Sequence, residues 1–344
     1  MTDDSSANLV RKRPPTILDV ARQAGVSVGT VSRYLNGISV RESKRLPIES
    51  AIVDLRYSRN AAASAMRNER SNLVALLVPG FGEFFGEILG SLSTRLTDYG
   101  QVLLTHRHDN DHRSMALALQ FFRDHRVNAV ITQGIPSLRR DIENLIDAGI
   151  PVIMFNNVLP NLQVDRVVTQ NEQGSINAMQ YLVDMGHRRI AFLQGDRTES
   201  SSVERLEGYS RAVAAHHLPV DRRYVSGGAW SRHIGFSSTR QLMELPEPPT
   251  AILAASIDLA LGVLDYSSEF GVTIGDQLSL VSYDDAEIFR QWKPAITSIA
   301  QPTARIGTEI AELVFSHIRG GHGNKHREIR LEPTIQLRNS VRRL

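Results

Sequence analysis

Between Thr16 and Asn36 the chain reads Thr-Ile-Leu-Asp-Val-Ala-Arg-Gln-Ala-Gly-Val-Ser-Val-Gly-Thr-Val-Ser-Arg-Tyr-Leu-Asn. No other stretch constrains the fold as much. Thr16 followed three residues later by Asp19 is a capping-box-like helix entrance, because each side chain can satisfy backbone donors left open in a first turn. The spacing predicts a helix to about Gln23, with Ile17, Val20, Ala21 and Ala24 on its buried stripe and Asp19, Arg22 and Gln23 toward water. Gly25 stops it, since glycine takes the left-handed conformation that a Cβ resists. Ser27 then caps a second helix from Val28 to about Leu35. Val31 and Leu35 turn inward, leaving Val28, Gly29, Ser32 and Arg33 on the outer face. A small residue where the helices cross (Ala21), a turn former four later (Gly25) and an apolar plug six beyond that (Val31) complete the requirements of a helix-turn-helix.

The segment Ser43 to Arg56 carries Ile48, Ala51, Ile52 and Leu55 at helical spacing and is expected to pack a third helix beneath the first two. Pro47 lacks an N–H and clashes with the preceding turn, so this helix is expected to start near Leu46 or to bend there. Asn60 to Arg67 is rich in helix formers, yet eight residues are too few to hold a helix in water unaided. The charge is uneven: residues 1–71 hold twelve Lys and Arg against seven Asp and Glu, whereas the remainder is net acidic although the whole chain is +2. Positive charge at the helix-turn-helix end supplies sequence-independent attraction to phosphates.

From Leu73 onward the pattern changes to short apolar runs alternating with helical stretches. Candidate strands are Leu73 to Val78, Val102 to Thr105, Ala129 to Thr132, Val152 to Phe155, Ile190 to Leu193, Ala251 to Ala254, Leu280 to Tyr283 and Ile329 to Leu331. Continuous apolar strands separated by helices imply parallel sheets covered on both faces, and this length suits two doubly wound subdomains. A chain of 344 residues with 42% hydrophobic content can bury several cores. It has no cysteine, which excludes disulfides and thiolate metal sites. No run is long and apolar enough to span a membrane, and Met1 to Pro15 is a polar tail without an apolar leader, so a cytoplasmic protein is expected.

Asp19-Val-Ala21, Ala24-Gly-Val-Ser27, Thr30-Val-Ser-Arg33 and Asn36-Gly37 closely resemble the start of LacI/GalR-family transcriptional regulators. The resemblance continues through Gly186-His-Arg-Arg-Ile190, Arg205 with Gly208 and Tyr209, Val281 with Tyr283-Asp284-Asp285, and Thr297 with Gln301-Pro302. It implies a helix-turn-helix domain at 16–58, a hinge helix at 59–71 and a periplasmic-binding-protein-like core at 72–344. The first core lobe is expected at about 72–168 and 301–323, and the second at 169–300 and 324–344. It further implies a homodimer on double-stranded operator DNA, acting as a repressor controlled by a sugar-like molecule bound between the lobes, with no cofactor and no metal. By the same resemblance Ser27, Val28, Gly29, Thr30, Ser32, Arg33, Asn36 and Asn60 face DNA, and Met66 takes the place of the apolar hinge wedge that opens a base step. Phe84, Phe85, Asn156, Ser201, Arg205, Trp230, Ser256, Asp284 and Gln301 correspond to the effector cleft.

Several positions have a second reading. Phe84 and Phe85 could be core, and Asp284 could cap a helix beginning at Asp285. Three departures from the family pattern stand out: Arg41 where a serine usually caps the third helix, Arg59 where a proline enters the hinge, and Ser256-Ile257 where Asn-Asp is common. The last replaces an amide able to make paired bonds to hydroxyls with a single hydroxyl. A solute-binding transport protein would share the core but lacks use for residues 16 to 71, and a sugar-modifying enzyme would need an acid-base pair in the cleft. No nucleophile elbow or phosphate loop is present; Gly320 to Lys325 reads as a turn. His106, His108 and His112 have no carboxylate pair to complete a metal site and read as solvent-facing loop residues. Val28 and Gly29 lack hydrogen-bonding side chains, so base readout falls on Arg33, whose fork matches guanine O6 and N7 and is worth roughly 1 to 3 kcal/mol of discrimination. Ser27, Thr30, Ser32 and Asn36 suit phosphates. Arg33→Ala is therefore expected to lower the preference for operator over random DNA more than it lowers random-DNA affinity, measured in one salt; equal losses would reject Arg33 as the reader.

Overall fold

The computed structural model describes residues 13, 15–35, 37–57, 71–219, 221–321 and 326–344. The chain divides into two compact units, Met1–Ser71 and Asn72–Leu344. Asn36, Asn60, Met66, the rest of the expected hinge and most of the turn before Lys325 lie outside the described residues.

In the first unit α1 (Ile17–Gln23), α2 (Val28–Leu35) and α3 (Glu42–Asp54) surround a small core of Val20, Ala21, Ala24, Val31, Ile48 and Ala51. The Thr16 backbone N–H and hydroxyl donate to Asp19 Oδ2 at 2.9 and 2.7 Å, so the carboxylate holds the entrance of α1. These bonds keep its pKa below the usual value. Gly25 turns the chain at φ +64°. The expected start of the third helix needs correction: it begins at Glu42, with Pro47 inside it and no side-chain cap from Arg41. Backbone bonds from Lys44 and Arg45 to the Arg41 carbonyl, at 2.8 and 3.1 Å, close the first turn before the proline is reached. Pro47 then removes one rung, at roughly 3 kcal/mol in a free helix, while burial of Ile48 and Ala51 fixes the segment against α1. Val28 also departs from expectation, because its side chain is half-buried against the core rather than presented on the outer face.

In the second unit the chain first forms β1 (Leu73–Val78), α4 (Glu83–Thr97), β2 (Val102–Arg107), α5 (His112–Asp124), β3 (Ala129–Thr132), α6 (Arg139–Asp147), β4 (Val152–Phe155) and β5 (Asp165–Thr169). It crosses to a second lobe with α7 (Asn171–Asp184), β6 (Ile190–Gln194), α8 (Ser200–Ala215), β7 (Val225–Gly227), α9 (Arg232–Met243), β8 (Ala251–Ala254), α10 (Ile257–Phe270), β9 (Ser279–Tyr283), α11 (Glu287–Gln291) and β10 (Thr297–Ala300). It returns with α12 (Thr303–Ile318) and β11 (Glu328–Leu331), and crosses again to β12 (Thr334–Gln336). The sheets run β11-β5-β4-β3-β1-β2, wholly parallel, and β12-β10-β9-β8-β6-β7, parallel except for β12. Side chains of β1 alternate between two cores: Val74, Leu76 and Val78 meet α4 and α12, whereas Ala75 and Leu77 meet α5 and α6. That alternation is the pleat of a strand covered on both faces.

The third crossing was expected after residue 323. It falls instead between Leu331 and Thr334, so Glu328–Leu331 belongs to the first sheet rather than to the second lobe. Asp165 explains the place of this edge, since its buried carboxylate accepts from the Arg327 backbone N–H at 2.6 Å and lies 2.9 Å from His317 Nε2. The strands β5, β7, β10 and β12 were not foreseen, because Asp165-Arg166, Val225-Ser-Gly227, Thr297-Ser298 and Thr334-Ile-Gln336 lack an apolar run. Their polar groups are paired in place: Arg338 N–H donates to Thr297 Oγ1 at 3.0 Å, and Thr297 N–H donates to Ser340 Oγ at 2.8 Å.

The three histidines near β2 do not converge. His106 Nε2 lies 2.9 Å from Ser114 Oγ, His112 meets the Ser137 carbonyl, and His108 is buried, against the expectation of a solvent-facing loop. No group of three His, Asp or Glu side chains among the described residues is placed to hold a metal ion.

His187, ahead of β6, is fully buried, with Nδ1 2.9 Å from Oγ1 of Thr250, which precedes β8. Burial pushes its pKa from 6.5 down to about 4. Between those values the unfolded chain binds more protons than the fold, so stability is lost as pH falls through this window. Thermal melts are expected to show a lower Tm at pH 5 than at pH 7, with a smaller drop in His187→Gln; an equal drop in the variant would remove His187 as a source of acid sensitivity.

Candidate DNA-reading surface and ligand cleft

On the outer face of α2, Gly29 and Arg33 are exposed, Ser27 is exposed just before the helix, and Thr30 and Ser32 are half-buried. Ser27 Oγ lies 2.9 Å from Thr30 Oγ1 and accepts from the Thr30 backbone N–H at 3.3 Å, so the predicted cap is present. Arg33 makes no side-chain hydrogen bond or ion pair among the described residues, which leaves its guanidinium open to a partner. Beneath this face Tyr34 OH donates to Glu49 Oε1 at 2.9 Å and Gln23 Nε2 to Asp54 Oδ2 at 3.1 Å, tying α2 and α1 to α3. The result is a rigid, exposed helix face bearing one free cation and three hydroxyls.

The larger unit presents its own constellation where the carboxyl ends of its strands face the space between the lobes, the usual place for a ligand in open parallel sheets. Arg205, on α8, is only 3% exposed. Its Nε donates to Asn171 Oδ1 at 2.8 Å, its Nη1 donates to the Ala255 carbonyl at 2.6 Å, and its guanidinium lies 3.6 Å from the Tyr283 ring centroid. Asp284 Oδ2 is 3.8 Å away. Asp284 occupies the left-handed region at φ +67° and accepts from Gln301 Nε2, while Gln301 Oε1 accepts from Thr169 Oγ1. Burial raises the Asp284 pKa against the opposing pull of Arg205 and Gln301. Asp284 does not cap a helix at Asp285; α11 begins at Glu287. Its role is inward, at the first two chain crossings.

Trp230 follows the tight Gly227-Gly228 turn and lies 5.8 Å from the Arg205 guanidinium. Its ring sits directly on Gly195, where an added Cβ would come within 2.3 Å of ring carbons. Phe84 and Phe85 resolve partly toward the duller reading. Both are half-buried against the first-lobe core, and Phe85 meets the fully buried Phe155 edge-on at 6.2 Å. Ser256 is the N-cap of α10, accepting from the Leu259 N–H at 3.3 Å. Ser201 is buried, and its backbone N–H donates to Asn157 Oδ1 at 3.0 Å. Asn156, at φ +60°, donates to Gln133 Oε1 at 3.0 Å.

Sequence reasoning missed Asn157, Gln133, Asn171 and Glu199. Asn157 bridges the lobes, donating to both Gln133 Oε1 and Glu199 Oε2. Val158 N–H donates to Ser200 Oγ at 3.0 Å beside it, and Glu287 N–H donates to Glu83 Oε1 at 2.8 Å elsewhere between the lobes. Glu199 has its pKa raised by burial, against hydrogen bonds from Trp230 and Asn157 and the charge of Arg205. Asp258 is raised by surrounding protein atoms and then by the charge of Asp284. The tandem Asn156-Asn157 after an apolar strand was the one local signal. Asn157 and Glu199 find each other across the lobes, and Gln133 and Asn171 find partners far along the chain within one lobe, neither of which spacing reveals.

Residues 16–60 match the family of bacterial regulatory proteins named for lacI, and residues 179–341 match a periplasmic binding protein-like domain. The HTH-type transcriptional regulator CelR of Thermobifida fusca is 32% identical, over 96% of this chain and 99% of the relative. The chain belongs to the LacI family. Catabolite control protein A of Priestia megaterium is 28% identical over 88% of this chain and 92% of its own. Among solved structures, a CelR–cellobiose complex aligns with TM-score 0.72 and 29% identity, covering 95% of this chain and 99% of that one. A Lac repressor dimer bound to operator and the anti-inducer ONPF aligns with TM-score 0.84 and 25% identity, covering 96% and 100%. This LacI-family protein is thus a DNA-binding transcription regulator rather than an enzyme, with the expected helix-turn-helix and two-lobed parallel α/β architecture. No helix among its described residues is long and apolar enough to cross a membrane.

Because the Trp230 ring leaves no room for a side chain at Gly195, Gly195→Ala is expected to displace that ring while the fold survives. Trp230 and Trp292 are the only tryptophans, so the displacement should appear as a shift in indole emission without loss of cooperative melting. An unchanged spectrum would mean that the ring is not held on this backbone.

Proposed function

We propose that the protein acts as a homodimeric repressor in the cytoplasm, where its operator DNA lies, and that a sugar-like molecule between the core lobes controls its operator affinity. The observation that carries this reading is the joining of an exposed α2 face bearing Arg33 to a core whose lobes are bridged by polar side chains around a buried arginine. DNA would be contacted by Ser27, Thr30, Ser32 and Asn36 at phosphates and by Arg33 at bases. Val28 and Gly29 would let the helix approach the groove closely, and Asn60 with the Met66 wedge would enter the minor groove from the hinge. Support for a two-fold assembly comes from the Lac repressor dimer on operator, and for a sugar from the CelR–cellobiose complex.

In the cleft Trp230 offers a ring face, while Arg205, Asp284, Asn156 and Gln301 offer donors and acceptors for hydroxyls. Phe84 and Phe85 would close the first-lobe side, with Ser201 and Ser256 at the margin. The Asn157–Glu199 and Glu83–Glu287 bonds belong to one arrangement of the lobes. A ligand changes the balance between arrangements only by binding one better than the other. The hinge at 59–71 would carry that difference to the paired helix-turn-helix units, since a helix this short depends on outside support.

Gel-shift titration of the full chain against promoter fragments tests the reading. Expected are a sequence-selective complex whose affinity changes at least tenfold with an active sugar, and a Trp230→Ala variant that keeps the complex but loses the response. A protein that selects no promoter fragment, with or without sugars, would reject the proposal.

A further inference from the structure

We infer that Glu204 is a positioning residue: it ties the buried Arg205 to the third chain crossing, so that a displacement of the guanidinium and a change in the arrangement of the lobes each act on the other. The link is built into the fold; its use in regulation deepens the proposed function and rests on it.

Glu204 lies on α8, one residue before Arg205, and is half-buried. Its two carboxylate oxygens serve different lobes. Oε1 accepts from Arg330 Nη1 at 3.1 Å, and Arg330 stands on β11 of the first sheet, just before the chain crosses for the third time. Glu328 on the same strand accepts from Arg330 Nε, which anchors the guanidinium to that sheet. Oε2 accepts from Asn171 Nδ2 at 3.3 Å, within the second lobe. The Thr169 carbonyl accepts from the same Nδ2 at 3.2 Å. With its amide nitrogen committed to two acceptors, Asn171 turns Oδ1 the other way, and there it accepts from Arg205 Nε at 2.8 Å. Successive residues of a helix do not face each other. Glu204 therefore acts on Arg205 by way of Asn171.

The bonds continue through Arg205 to the other two crossings. Asp284 stands 3.8 Å from Arg205 and accepts from Gln301, whose Oε1 accepts from Thr169 Oγ1. From Arg330 round to Thr169 the side chains form a belt that touches each place where the chain passes between lobes. Helix α8 has little room to slide on α7 and relieve it, because a Cβ at Gly208 would collide with the Glu172 carbonyl. An exposed ion pair taken alone contributes little. The Arg330–Glu204 pair differs because its carboxylate also orients the amide that holds a buried charge, and members of such a network support one another. A movement of the lobes that takes Arg330 away removes the cation from Glu204 and loosens the hold of Asn171 on Arg205.

Trp230 lies 5.8 Å from the Arg205 guanidinium, and Trp292→Phe makes it the sole indole, a local probe of that charge. In this full-length background, indole emission and acrylamide quenching are compared for Arg330→Gln, Glu204→Gln and the double variant, with melting curves to show that each is folded. Arg330→Gln, a change in the other lobe, is expected to shift the emission and alter the quenching constant at least twofold. Glu204→Gln should do the same, and the double variant should go no further than either single one, as two ends of one link require. Arg330→Lys keeps a cation for Glu204 and should lie closer to the wild-type spectrum. Arg95→Gln, which breaks a first-lobe ion pair with Glu312 that has no part in the belt, should leave the spectrum unchanged. If one variant does not melt cooperatively, the other single variant decides. Wild-type emission in the folded single variants, additive shifts in the double variant, an Arg330→Lys spectrum no closer to wild type than that of Arg330→Gln, or an equal shift from Arg95→Gln would overturn the inference. Each of those results would leave the regulator reading standing, because neither DNA nor sugar enters the measurement.

Discussion

The buried guanidinium of Arg205 is the constraint on which the ligand-binding half of this protein depends. Removing a charge from water costs several kcal/mol unless hydrogen bonds and an opposite charge replace the lost hydration. Here the replacements come from distant parts of the chain: Asn171 at the start of α7, the carbonyl of Ala255 after β8, the Tyr283 ring on β9, and Asp284 after it. Satisfying one side chain therefore sets the relative places of four elements of the second lobe. Asp284 then passes the arrangement to Gln301 and Thr169 at the crossings between lobes.

Seen this way, the cleft is a polar seam rather than an apolar pocket. Its bonds are made across lobes by Asn157, Glu199, Ser200, Glu83 and the backbone of Glu287. Such bonds exchange with water or with ligand hydroxyls, because the net gain of a protein hydrogen bond over a solvent one is about 1 kcal/mol, and roughly 1.5 to 3 kcal/mol where the acceptor is a carboxylate. The cores behind the seam are different in kind: β3, β4 and β8 are buried along their whole length between layers of helices. Rigid lobes joined by weak exchangeable contacts are what a change of arrangement by a small ligand requires.

The helix-turn-helix unit obeys local rules to a greater degree. Its entrance, turn and plug follow from Thr16, Asp19, Gly25 and Val31, and the structure places each as the spacing predicts. Its two surprises have one cause. Val28 leans inward and α3 runs through Pro47 because a six-residue core this small recruits every apolar group within reach, and that packing outweighs the local preference of a single residue.

The amino-acid sequence alone determined the helix-turn-helix and the alternation of strands and helices, because periodicity and turn chemistry are properties of neighbours in the chain; Arg205, Trp230 and Asp284 were singled out by family resemblance. Strands β5, β7, β10 and β12 escaped it, since their polar residues find partners only after folding, as Asp165 does with His317 and Arg327. The third crossing was misplaced for the same reason. What only the tertiary structure decided is which cleft side chains are spent on the protein itself and that Asp284 stands against Arg205. Those facts depend on pairs such as Asn157 with Glu199, set far apart along the chain and brought together by the lobes.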